Sequence, residues 1–238
     1  MDRDAAPAPA PAVPDVGSAA TVVLLRDGDG GVEVLLGERP RDRGSFAGAW
    51  VFPGGVVDDE DGAGDSIHSQ AAARRAAVRE TREEVGLEVD AGDLIEFAVW
   101  SPPEGVPKRL RTRFFAARAP RGEPAPAPDE LIAVDWMRPG DALARHAAGV
   151  LTLYPPTWVT LHGLTGAGSV DEALDALRRG EVAAYVGRFS EDRTTLYWQE
   201  DDEFASAGAG AVASGAAREA RRHRLRMAGL PWEYERSF

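Results

Sequence analysis

No cysteine occurs among the 238 residues, which rules out disulfides and thiolate metal sites. A reducing cytosol is the natural setting for such a chain, and a cytoplasmic location is expected. No apolar run approaches the roughly 20 residues of a membrane-spanning helix. The opening MDRDAAPAPAPAVPDVG lacks the basic-then-apolar order of a signal peptide, so no membrane association is expected. Positive charge is also scarce. With 27 Lys and Arg against 39 Asp and Glu, the formal net charge is −12, which argues against a nucleic-acid partner. A small anionic substrate stays open, because a divalent cation reverses the local sign. The four histidines, His68, His146, His162 and His223, have no spacing typical of a metal site.

Hydrophobic residues make up 44% of the chain, enough to bury a sizeable core in one large domain, or in one domain with an appendage. Residues 1–16 form a Pro/Ala-rich segment expected to be a disordered tail. AATVVLL (19–25) and VEVLLGE (32–38), joined by RDGDGG, are expected to form a hairpin of buried strands. AWVF (49–52) is a short apolar run stopped by Pro53-Gly54-Gly55, and DDEDGAGDS after it is an acidic loop. A helix is expected from about Ser69 to Val85, with Val78, Thr81 and Val85 as its inner stripe and Gly86 as its C-terminal stop. Strands are expected at 94–100, 109–119, 131–137 and 194–199, and helices at 139–149, 155–164 and 169–180. The Ala/Gly stretch 205–217 reads as a flexible insert. REARRHRLRM (218–227) fits a helix or an alternating strand, and its arginines read as a solvated face. This mixture implies an α/β chain, a mixed sheet with helices packed on it.

The chemistry concentrates in RETREEVGL (79–87). On a helix, Glu80, Glu83 and Glu84 share one face, where like charges repel by a few tenths of a kcal/mol per pair. Solvent or a bound cation would have to offset that repulsion. Three carboxylates are hard oxygen ligands suited to Mg²⁺ or Mn²⁺. Two consecutive glycines, Gly54 and Gly55, let backbone approach a bulky ligand. Together these features suggest a metal–diphosphate site.

FPGG followed by a helix ending in Arg79, Glu80, Glu83, Glu84, Gly86 and Leu87 resembles the box of the Nudix hydrolases, Gx5Ex7REUxEExGU, with Thr81 where aliphatic residues are more usual. The resemblance spans roughly residues 18–160. It implies a Nudix-type α/β/α sandwich around a mixed sheet, with a Nudix domain over 17–160 and a C-terminal appendage over 161–238. It also implies Mg²⁺- or Mn²⁺-dependent hydrolysis of a nucleoside diphosphate linked to another group, with a nucleotide-type small molecule as substrate. Family members are often dimers, which leaves room for a homodimer.

From Gly55 to Arg79 there are 24 positions where the box has 14, so ten extra residues lie in between and Ala71 stands where the first box glutamate belongs. Asp61 lies six residues after Gly55, on the loop side of the insertion. LLGERPRDRGSFAGAWVFPGG (35–55) also partly resembles the coenzyme A signature LLTxR…RxxxGxxxFPGG of the peroxisomal coenzyme A diphosphatases. Leu35, Leu36, Arg39, Gly48 and FPGG match, while Gly44 takes the place of the second arginine and Arg43 is one position off.

By this resemblance Glu80, Glu83 and Glu84 bind the metal, and Arg79 holds a glutamate in place. Arg39, Gly54 and Gly55 contact substrate. The catalytic base is a box glutamate such as Glu83 or a loop glutamate, with Glu130 the candidate and Glu104 the alternative. Coenzyme A or an acyl-coenzyme A is the leading substrate, and ADP-ribose or NADH the next. A non-catalytic nucleotide-sensing module is the rival from another class.

Overall fold

The computed structural model describes residues 16–44, 46–106, 109–207 and 220–238. The expected tail, apart from Val16, and residues 208–217 of the expected insert lie outside the described residues.

Strand β1 (Gly17–Gly28) is the spine of the fold. It pairs antiparallel with β2 (Gly31–Glu38), and Gly28 lies opposite Gly31, so the hairpin closes over Asp29 and Gly30 alone. The expected six-residue turn is therefore shorter, with Arg26 and Asp27 still in the ladder. On its other edge β1 runs parallel to β6 (Leu110–Arg118), while β4 (Gly54–Val56) pairs antiparallel with its first half. Both faces of β1 are buried, as its near-continuous apolar run requires. Val22 and Leu24 pack with Ala72, Ala73, Ala76 and Ala77 on one side. Val23 and Leu25 pack with Leu161, Leu164 and Leu174 on the other.

The first face is covered by α2 (Gln70–Val85). The Ser69 side chain accepts from the Ala72 N–H at 3.0 Å at its start, and Gly86 closes it in a left-handed conformation at φ 69°. Its inner stripe is made mainly of alanines, with Thr81, Glu84 and Val85, whereas Val78 is only half-buried. The buried Thr81 hydroxyl donates to the Ala77 carbonyl at 2.7 Å, which satisfies it at a position where an aliphatic side chain would do. The opposite face carries α3 (Pro139–Ala147), α4 (Pro155–Leu164) and α5 (Val170–Arg179). The result is helices on both sides of a mixed sheet, an α/β/α sandwich.

The sheet continues beyond β5 (Ile95–Ser101) through β8 (Ala183–Phe189), β9 (Thr195–Trp198), β10 (His223–Arg226) and β11 (Glu233–Arg236). Residues 223–226 of the ambiguous arginine-rich segment are thus a strand. The solvated reading of its arginines fails at Arg224. This side chain is 5% exposed and donates to both carboxylate oxygens of the buried Asp201, at 2.5 and 2.7 Å. Strands β8 and β11 were not expected, and residue 160 lies inside α4. Two short strands complete the sheet. β3 (Trp50–Val51) and β7 (Ala133–Met137) both pair with β2. The expected acidic loop contains a helical turn, α1 (Asp59–Gly62). Among the described residues no helix is long and apolar enough to cross a membrane.

Candidate active site

Chain direction reverses at Pro53, so Gly54 and Gly55 run back along β1 as β4, beneath the outer half of α2. Glu84 points inward, with its side chain 3% exposed, and its Oε2 accepts from the Gly54 N–H at 2.9 Å. Gly54 adopts φ 153°, and a Cβ there would overlap the Ala20 carbonyl and Thr21. A Cβ on Gly55 would overlap the Glu80 carboxylate. The glycines therefore admit the helix carboxylates against the strand, a use distinct from the expected approach to a ligand.

Arg79 organises this face. Its Nε and Nη2 donate to the two carboxylate oxygens of Asp61 at 3.2 and 2.8 Å, and Nη2 also donates to the Val56 carbonyl at 3.0 Å. Nη1 donates to Glu80 and to Glu83, each at 2.9 Å. This guanidinium thus supplies part of the charge balance that the three-glutamate face requires. Asp61 is 6% exposed, and its oxygen also accepts from the Asp58 N–H at 3.0 Å. Asp61 thus pairs with the box arginine, while Ala71 stands at the helix position of the first box glutamate. The six-residue step from Gly55 was the signal for it. Burial works against its charge, but the hydrogen bonds from Arg79 prevail and hold its carboxyl below the ordinary range.

Burial pushes Glu84 up to about 7, and the neighbouring Glu80 charge adds to that shift. Burial also raises Glu80, against the pull of Arg79. Arg39 stands across from them, with Nη1 3.8 Å from Glu84 Oε1 and Nη2 3.8 Å from Glu130 Oε2. Its Nε is buried without a hydrogen-bond partner. Glu130 is half-exposed at the rim, whereas Glu104 is exposed in the turn after β5. Arg43 reaches toward Asp129 at 3.4 Å, in the loop that carries Glu130.

In donor type, Glu80, Glu83 and Glu84 fit a hard divalent cation. The burial that raises Glu84 and Glu80 fits one too, because a bound cation would favour their charged forms. In position the expected metal site is not closed. Among the described residues no three acidic, histidine or cysteine side chains converge closely enough to hold an ion as they stand, and Nη1 of Arg79 holds both Glu80 and Glu83.

A family profile described as the NUDIX domain matches residues 16–155, more than half of the chain. A peroxisomal coenzyme A diphosphatase of Caenorhabditis elegans, ndx-8, is 41% identical over 66 residues, which cover 28% of this chain and 25% of that protein. The CTP pyrophosphohydrolase of Escherichia coli strain K12 is 34% identical over 73 residues, covering 31% of this chain and 43% of that protein. The matched stretches thus span less than half of either curated relative. The crystal structure of a NUDIX hydrolase from Alicyclobacillus acidocaldarius superposes with a TM-score of 0.62 at 26% identity, covering 70% of this chain and 99% of that one. With the box residues gathered on α2 over the β4 glycines, and with the NUDIX profile matching more than half of its length, the chain belongs to the Nudix family.

Proposed function

We propose that the protein hydrolyses the diphosphate bond of a nucleoside diphosphate derivative, with Mg²⁺ or Mn²⁺ held by Glu80, Glu83 and Glu84. The observation that carries this reading is the convergence of Glu80, Glu84, Arg39 and Glu130 at the strand–helix junction. A bound divalent cation would neutralise diphosphate oxygens and make an attacking water more acidic. Arg39, whose guanidinium lies between Glu84 and Glu130, would bind a phosphate oxygen. Glu130, half-exposed and across Arg39 from Glu84, would accept the proton of a water that attacks one phosphorus. The bond from that phosphorus to the bridging oxygen breaks, and each product keeps one of the two phosphates of the diphosphate.

Coenzyme A or an acyl-coenzyme A is the first substrate to test, from the partial match of Leu35, Leu36, Arg39, Gly48 and FPGG and from the name of the C. elegans relative. Residues 17–160 would carry the catalysis in a reducing, cytoplasmic setting, with 161–238 as a sheet extension. The test is a hydrolysis screen with Mg²⁺ or Mn²⁺, with and without chelator, over coenzyme A, acetyl-coenzyme A, ADP-ribose, NADH and diadenosine polyphosphates. Products are identified by mass. Metal-dependent release of 4′-phosphopantetheine is the expected result. Cleavage of ADP-ribose or NADH alone would keep the chemistry and discard coenzyme A. Tight binding without cleavage of any of them would replace the hydrolase with a nucleotide sensor.

A further inference from the structure

Two large aromatic side chains are exposed on segments that backbone hydrogen bonds tie to Arg39. Phe46, in the loop between Arg39 and β3, is 52% exposed, and Tyr154, which precedes α4, is 39% exposed. Their rings meet edge to face, with centroids 4.6 Å apart and planes at 70°. An edge-to-face pair leaves a ring face open to a third flat group.

Both rings are tied by backbone to Arg39. The Phe46 carbonyl accepts from Ala49, and the Ala49 carbonyl accepts from Arg39, at 3.0 and 2.9 Å. Ala49 bridges to Thr152, whose carbonyl accepts from Trp50 at 2.9 Å, two residues before Tyr154. The aromatic pair therefore stands on the same framework as the arginine that faces Glu84. Phe46 moreover sits at φ 60°, a left-handed conformation that a bulky residue rarely adopts. The surrounding bonds hold that strain and keep the ring at the rim, where simple burial would have been the cheaper use of a phenylalanine.

We propose that Phe46 and Tyr154 form a stacking platform for the nucleobase of the substrate, next to the diphosphate site. This assignment rests on the hydrolase reading for the position of the diphosphate, and it adds the part of the substrate that lies against the rings. A flat base suits the platform because every base offers a π face, and stacking needs no complementary charge on a strongly acidic protein. Loss of a stacking ring raises KM while leaving kcat nearly unchanged, since the base binds equally in ground and transition states.

The test uses Phe46→Ala, Tyr154→Ala and Tyr154→Phe in the full chain. Calorimetry measures ADP and inorganic pyrophosphate binding in the presence of Mg²⁺. Each alanine variant is expected to weaken ADP by about tenfold and leave pyrophosphate unchanged, while Tyr154→Phe keeps wild-type affinity. Urea unfolding checks that the variants fold as wild type does. Equal weakening of both probes, no weakening of ADP, or a wild type that does not bind ADP overturns the assignment. So does a loss of self-association in the alanine variants with ADP affinity intact, which would make the pair a contact between copies. A wild type that binds ADP with this pattern but hydrolyses nothing would defeat the hydrolase reading and leave the platform standing.

Discussion

Asp61→Asn removes the negative charge on which Arg79 is anchored. Breaking one side of a buried ion pair costs about 3–5 kcal/mol. Here Arg79 is 24% exposed and keeps Glu80 and Glu83, so the expected loss is reduced to about 2 kcal/mol. Urea unfolding in chelator at pH 7 measures it. The pH dependence provides a second check. The Asp61 carboxyl is held below its unfolded value, so its stabilisation is complete above that value, near pH 4, and is lost as pH falls through the lower folded one. The stability gap between wild type and variant should therefore be constant from pH 5 to 7 and shrink below about 4. Because Asp61 acts through Arg79, turnover of a cleaved substrate should also fall, by about 10–100-fold, as for loss of a group that orients a metal ligand. A variant as stable as wild type at pH 7, or a gap unchanged down to pH 3, would refute the anchoring role.

In metal-free protein Glu84 is raised from 4.5 to about 7, so it favours folding while protonated, and that contribution is lost as pH climbs through about 7. Wild type in chelator should lose on the order of 3 kcal/mol between pH 4.5 and 7.5 relative to Glu84→Gln, as measured by urea unfolding; parallel curves would remove the burial argument. Glu83→Gln and Glu84→Gln should each lower metal-dependent turnover by at least about 100-fold with the fold retained by circular dichroism, and near-full activity in both would void the metal assignment. Gly54→Ala should destabilise by about 2–4 kcal/mol, since the clash is with strand backbone, and Gly55→Ala by less, since the Glu80 carboxylate can swing away. Thermal unfolding of the two variants ranks them, and the reverse order would be inconsistent with the close contact between β4 and β1.

Much of this site could be read from residues alone, because local rules and the box coincide at α2. Ser69 caps it, Gly86 ends it, and the carboxylates between them share a face. The inner stripe was placed on Val78 because valine scores as apolar and alanine scarcely does, yet the alanines make the close packing against β1. Asp61 was visible at the right step from Gly55, but sequence could not show that it pairs with Arg79. Strands β8 and β11 were illegible for a different reason. AAYVGRF contains a glycine and few large apolar residues, and EYER is mostly charged, so pairing with β5, β9 and β10 makes them strands. Arg224 runs against the rule that a charged residue lies outside, and only the fold brings Asp201 to it.

The two ends of the Arg79 guanidinium have different work, and this bears on how a site not closed around an ion could admit one. Nε and Nη2 are fixed on Asp61 and the Val56 carbonyl, partners held by α1 and β4. Nη1 alone holds Glu80 and Glu83, and Glu83 is 48% exposed. Glu83 can therefore leave Nη1 for a cation with little cost in burial, while Arg79 stays anchored through its other nitrogens. Glu84 needs no release, since its Oε1 faces Arg39 only across 3.8 Å and its Oε2 is already held by Gly54. Entry of a cation would then exchange one arginine contact for metal contacts and offset the burial and repulsion that together raise Glu84, without disturbing the strand–helix junction below.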